Sequence, residues 1–221
     1  MKISNRLKEI ANFINNKKCV VDVGCDHAFL PIYLVLNNKS LSAIALDNKK
    51  GPLLSAKDNI KTYNLESKIK TILSDGLKNV NPIDYDAIVI SGMGGETIIN
   101  ILKDGPINPD ADLFLEANKN NKELREYLTL NNYKIVNEKM IKDKGHFYTI
   151  IHAIKTDIKV TLTDVQLLFG PVILKEYSDV FKEYLTYNIS ILEREMNESN
   201  KDEILKKTCV YRGVLKWNYY L

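Results

Sequence analysis

The stretch Val20-Val21-Asp22-Val23-Gly24-Cys25-Asp26-His27-Ala28 decides the architecture. With Cys19 its first residues make a short apolar run, the pattern of a parallel strand buried on both faces. Gly24 ends the run, and residues 31–36 follow with helical character and a proline in the first turn. A strand turning straight into a helix is an α/β unit. In an open parallel sheet, ligands bind beyond the carboxyl ends of the strands. The loop is poor in glycine. A dinucleotide fingerprint needs Gly-x-Gly-x-x-Gly so that pyrophosphate can reach the helix N-terminus. Here Asp26 stands at the second glycine position, and its charge opposes a phosphate. The loop suits a cationic ligand instead.

Working outward, residues 3–14 place Ile3, Leu7, Ile10 and Ile14 on one helical face, with Ser4 or Asn5 as the cap. Further buried strands are expected at 42–46, 69–73, 85–90 and 111–115, and helices at 52–63, 97–102 and 121–131. Residues 133–141 and 147–154 are strand-like and separated only by 142–146. That gap is too short for a parallel crossover, so the two should form an antiparallel hairpin. The expected fold is α/β and Rossmann-like: five parallel strands plus a C-terminal antiparallel hairpin. A dinucleotide-binding domain would continue with another strand–helix–strand unit.

After Lys155 the pattern changes. A short helix at 165–169 precedes Gly170-Pro171. A long helix is expected over 172–196, a polar loop over 197–201, and a last helix over 203–217. These suggest a small α-helical hairpin domain. The expected division is 1–156 for the sheet domain and 160–221 for the helical one.

Composition sets further bounds. The 221 residues, 45% hydrophobic, are enough for one full domain plus an appendage. The net charge of +3 is too small to argue for nucleic acid alone. From Lys155 onward ten basic residues balance ten acidic ones, so the excess sits on the first 154 residues. Cys19, Cys25 and Cys209 match no metal or disulfide framework, which suits a reducing cytoplasm and no metal. No apolar run approaches membrane-spanning length, and no signal-peptide core opens the chain.

Two acids follow the deciding loop at strand ends. Asp47, next to Asn48, can accept from both hydroxyls of a ribose, and Asp75 in Ser74-Asp75-Gly76 can accept from an adenine amino group. Taken singly, each is as well read as a solvated strand-end carboxylate; together they fit an adenosine. The fourth strand runs into Ser91-Gly92-Met93-Gly94-Gly95. Its glycines clear side chains from where a flat acceptor would approach, although a glycine-rich turn before a helix explains them too.

These motifs carry a specific resemblance. Residues 20–35 (VVDVGCDHAFLPIYLV), 43–56 (AIALDNKKGPLLSA), Asp75-Gly76-Leu77, 91–95 (SGMGG) and 144–153 (KGHFYTIIHA) resemble the bacterial tRNA adenine-22 N1-methyltransferase family, TrmK. The resemblance covers about residues 3–155 and extends more loosely into the C-terminal helices. It implies a Rossmann-like catalytic domain, a helical domain of coiled-coil character, S-adenosylmethionine as cofactor and tRNA as partner. Methyl transfer to N1 of adenine 22 is the implied reaction. The implied cofactor set is Asp22, Gly24, Cys25, Asp26, His27, Asp47, Asn48, Ser74, Asp75, Gly76, Ser91, Gly92 and Met93. Four positions depart from the family: Cys25 for its usual Ser, Asp47 for Glu, and Glu116-Ala117 for Gln-Pro, leaving Asn118 to carry over.

The reaction assigns further roles. N1 of neutral adenine has a free lone pair, so positioning matters more than a base. Asp26 serves either the cationic product or the cofactor's ammonium group. His27 either bonds a ligand or fixes its loop, and Asn118 can bond an adenine edge. Gly94, Gly95, Arg6, Lys8, Lys17, Lys18, Lys142 and Lys144 are candidates to meet RNA. Arg125 either binds phosphate or pairs with a carboxylate. A monomer is expected. The alternatives are methylation of another acceptor and a noncatalytic RNA-binding protein.

Overall fold

The computed structural model describes residues 1–217. Five parallel strands are β1 (Lys17–Val23), β2 (Ser40–Asp47), β3 (Ile69–Leu73), β4 (Ala87–Met93) and β5 (Asp112–Ala117). The pair β6 (Tyr133–Asp143) and β7 (His146–Lys155) closes the sheet, in the order β3-β2-β1-β4-β5-β7-β6. β7 runs antiparallel to both β5 and β6. This is the sheet expected from the sequence. The β1-to-β4 pairing is the point where strand order reverses, and the ends of β1, β2, β3 and β4 open there onto one edge.

Alternation along the strands sends side chains to two helical layers. Val21, Val23, Ile44, Leu46, Ile88 and Ile90 pack with Ile98 and Leu102 of α4 (Gly95–Asp104) and Leu124 and Leu128 of α5 (Asn121–Leu130). Val20, Val89 and Phe114 pack on the other face with α1 (Asn5–Phe13) and α2 (Phe29–Leu36). Ala43, Ala45 and Ile69 meet α2 and α3 (Lys50–Thr62). Each fully buried Leu or Ile contributes about 1.5–3 kcal/mol. Ser4 caps α1 by accepting from Leu7 N–H at 3.3 Å, settling the Ser4-or-Asn5 choice.

Two expectations need correction. Residues 142–146 are not a five-residue loop: the hairpin turns on Lys144-Gly145 alone, both in the left-handed region, while Asp143 pairs with His146. Such a two-residue turn matches the twist of the flanking strands. Nor is 172–196 one helix. α6 (Asp164–Phe169) is followed by α7 (Pro171–Glu176) and α8 (Asp179–Glu195), with Tyr177 left-handed between them and Ser178 capping α8. α9 (Lys201–Trp217) packs beside α8. Of the segment 160–221 expected to form the helical domain, residues 218–221 lie outside the described residues.

The helices are fastened to the sheet through a buried charge pair. Arg125 on α5 meets Glu138 on β6 at 2.7 Å, and both side chains are almost fully buried. The guanidinium also donates to the carbonyls of Leu167, Leu168 and Phe169 at the end of α6. Glu138 accepts in turn from Val172 N–H at 3.1 Å. Burial pushes the Glu138 carboxyl up, while Arg125 pulls it down. Gly170 has φ +98°, and a Cβ there would strike the Glu138 carboxylate, so this approach requires glycine. Arg125 therefore spends its donors inside the protein, which corrects its reading as a phosphate contact.

Candidate active site

The strand ends enclose a cleft of about 340 Å³, within the range of small-ligand sites. It brings together Gly24, Asp26, Asp47, Asn48, Ser74, Asp75, Gly76 and Met93. Gly24 has φ +75°, and a Cβ there would run into the Met93 side chain. A larger residue would thus strain the loop and push Met93 into the cleft. Asp26 and Ala28 are also left-handed, at φ 50° and 56°. Strain of this kind, about 1–3 kcal/mol for each such residue, persists only where surrounding structure enforces it. Gly24 and Cys25 supply that enforcement, donating N–H to the Leu46 carbonyl at 2.8 and 2.9 Å.

Asp47 is held from both sides. One carboxylate oxygen accepts from Asp26 N–H at 3.3 Å and the other from Lys49 N–H at 2.9 Å. Its lone pairs not used there point a fixed negative charge at the cleft. Ser74 N–H reaches the Asp47 carbonyl at 2.9 Å, and Ser74 Oγ donates to the Gly76 carbonyl at 2.8 Å. The Ser74-Asp75-Gly76 turn is thereby tied to the end of β2. Asp75 is exposed and pairs with Lys78 at 2.5 Å.

Asp22 lies behind the cleft, buried at the end of β1. Burial raises its carboxyl from 3.8 to about 7; Asp47 adds to the rise and Arg6 opposes it.

Other expected residues sit at the margins. Cys25 turns into the α2–α3 core, where burial pushes its thiol well up, so its side chain does not face the cleft. His27 is half exposed, 3.6 Å from Asp26, and outside the cleft lining. Ser91 is half-buried, and Gly92 donates its N–H to Glu116 at 2.9 Å. Gly94 caps α4, and Gly95 is buried against the Asn120 backbone, so Gly95 does not face an incoming base.

The basic candidates divide likewise. Arg6 pairs with buried Glu116 beneath Gly92 and stacks 5.6 Å over the Tyr148 ring, so it is committed internally. Lys17 pairs with Asp112 at 2.7 Å at the start of β1, and Lys18 is its neighbour; both lie at the sheet end opposite the cleft. Lys142 pairs with Glu183. Lys8 and Lys144 are exposed.

Sequence reading missed Lys49, Pro52, Thr97 and Ile101, which also line the cleft. Thr97 and Ile101 are four apart on α4 and share a face. Their proximity to Gly76 was the available signal only once α4 had been placed.

The donor set fits an adenosine bearing a cationic sulfonium. Held carboxylates stand where hydroxyls and cations need acceptors, and glycine clears the floor.

Comparison with known proteins agrees. Residues 3–151 match the family model of a methyltransferase domain. The chain is 35% identical over 187 residues to the tRNA (adenine(22)-N(1))-methyltransferase of Bacillus subtilis, covering 82% of this chain and 79% of that one. Among solved structures, a Streptococcus pneumoniae protein in complex with S-adenosyl-L-methionine superposes with TM-score 0.91 at 32% identity, covering 97% of this chain and 100% of that one. Mycoplasma capricolum TrmK, bound to S-adenosyl-homocysteine, gives TM-score 0.87 at 32% identity over 98% and 99%.

Proposed function

The chain belongs to the tRNA (adenine(22)-N(1))-methyltransferase family, and we infer that it transfers a methyl group from S-adenosylmethionine to N1 of an adenine in tRNA. The observation that carries this reading is the convergence of Gly24, Asp47, the Ser74-Asp75-Gly76 turn and Met93 on one strand-end cleft. Among the described residues no helix is long and apolar enough to cross a membrane, and no acid, His or Cys group is placed to hold a metal.

When bound, S-adenosylmethionine supplies a methyl group made electrophilic by its sulfonium. The chain's part is to bind and orient. Asp47 accepts from the ribose hydroxyls, held in place by its two backbone donors. The backbone of the Ser74–Gly76 turn reads the adenine edge. Asp26, at the rim, favours positive charge in the cleft. The β4 and β5 ends are clasped: Asn118 N–H donates to the Met93 carbonyl at 2.8 Å, and Gly95 N–H to the Lys119 carbonyl at 2.9 Å. That clasp fixes the wall against which an acceptor base must lie, which is where orientation lowers the barrier.

Incubation with labelled S-adenosylmethionine and unmodified tRNA, followed by nucleoside digestion, should yield 1-methyladenosine. Label in small molecules but none in tRNA would defeat the reading.

Asp22 gives a pH prediction. The folded protein keeps its proton up to about pH 7, whereas the unfolded chain releases it near 3.8. Its stabilising contribution is therefore complete below pH 3.8 and is lost as pH rises through about 7. Cofactor binding works the other way. A cationic ligand favours the ionised carboxylate, so affinity should rise between about pH 6 and 8 with proton release. Calorimetry in buffers of different ionisation enthalpy measures that proton directly. Asp22→Asn should flatten the profile; an unchanged profile would remove Asp22 from the linkage.

A further inference from the structure

A second cleft, of about 400 Å³, lies between the sheet and the C-terminal helices. One wall is the β5–α5 loop with Asn118 and Lys119 and the first turn of α5 with Asn121 and Lys122; the opposite wall includes Phe147 of β7 and Tyr184 of α8. The Phe147 ring meets Tyr184 edge-on at 5.4 Å and Tyr187 at 5.8 Å, and Tyr187 is 54% exposed. This aromatic cluster is left partly open to solvent. Across from it, Lys119 and Lys122 are exposed and enter no ion pair among the described residues. Glu123 is the acid on that rim. Asn121 Oδ1 is buried without a partner among the described residues. An acceptor so placed costs stability unless a donor reaches it.

Aromatic faces beside unpaired cations are the means by which single-stranded nucleic acid is held without a base-edge code. The two clefts also adjoin. Met93 lines the cofactor cleft, Asn118 lines the second one, and a single backbone hydrogen bond joins them. An adenine inside folded tRNA must leave its stack to meet a methyl donor, and this leaves its neighbour without a stacking partner.

We propose that the second cleft receives a nucleotide flanking the methylated adenine, its base against Phe147 and Tyr184 and its phosphate near Lys119 and Lys122. The proposal rests on the tRNA reading above. It divides the work between two sites: one for the reacting base, the other for the neighbour whose displacement exposes it. Phe147, Tyr184 and Tyr187 would then stack in place of the lost base neighbour.

The test places 5-iodouridine on either side of the target adenine in tRNA and irradiates the complex, which couples the base to aromatic side chains in contact. The expected product is a peptide containing Phe147, Tyr184 or Tyr187. Crosslinks confined to other peptides, or coupling to these three only from the target position itself, would overturn the proposal. In parallel, Phe147→Leu should raise KM for tRNA about tenfold or more, with kcat and cofactor affinity unchanged. If that variant folds poorly, the exposed Tyr187→Ser supplies the same comparison with a smaller effect. Unaltered KM in a folded variant also overturns it. Failure of the underlying reading looks different, because wild-type protein would then form no 1-methyladenosine.

Discussion

Arg125→Met lowers the melting temperature by about 10 °C. The reasoning starts from burial: Arg125 has 1% of its side chain exposed and Glu138 none. Removing the cation leaves a carboxylate deep in the protein with only backbone N–H groups at the start of α7, those of Val172 and Ile173, still aimed at it. Breaking one partner of such a pair costs about 3–5 kcal/mol, and about 2–4 °C follows each kcal/mol in a chain of this size. The three carbonyls at the end of α6 lose their donors at the same time. Replacing both partners, as Arg125→Met with Glu138→Leu, should recover much of the loss, because an apolar pair carries no desolvation penalty. Differential scanning calorimetry decides it. A single variant that melts with the wild type would mean that the pair contributes nothing. The double variant separates the cost of an orphaned charge from the net value of the pair.

Asp47→Ala weakens S-adenosylmethionine binding about a hundredfold or more. A hydrogen bond to a charged group contributes about 1.5–3 kcal/mol, and a ribose offers two hydroxyls to this carboxylate. The substitution also frees the N–H groups of Asp26 and Lys49, so the strained loop loses one of its anchors while the Gly24 and Cys25 bonds to the Leu46 carbonyl remain. Asp47→Asn, which keeps one acceptor oxygen but no charge, should fall between the two. Isothermal titration calorimetry reads the affinities, and unchanged binding in the alanine variant would take Asp47 out of the site. Because Asp47 sits at the end of β2 rather than in its middle, the fold should survive the change.

The sheet was legible because its signals are local. A buried strand, a turn and an amphipathic helix each fit within a dozen residues, and the short gap before β7 excluded a crossover. The break at Tyr177 was not legible from periodicity, since apolar spacing runs on from Leu174 to Leu192 without interruption. Ser178-Asp179 carried a helix-start signal, and Ser178 does accept from Phe181 N–H at 3.3 Å. The strand-end acids were legible because parallel sheets place ligands there. Thr97 and Ile101 were not, since they reach the cleft from a helix whose rotation depends on packing. Which of the two readings of Arg125 holds, phosphate contact or carboxylate pair, was not legible for a similar reason. On its own helix it neighbours Leu124 and Leu128, and only the arrival of β6 and α6 decides that it is covered.

The contact between Arg6 and Glu116 ties two segments more than a hundred residues apart in the chain. Glu116 is fully buried, holds Gly92 N–H, and leaves its other oxygen without a partner among the described residues. A neutral glutamine at that position would still accept from Gly92 while needing no cation. Positions 6 and 116 are therefore expected to change together across relatives. Where 116 is neutral, 6 is released to drift; where 116 is acidic, 6 stays basic. Covariation of this pair would be an evolutionary record of one electrostatic constraint beneath the acceptor loop.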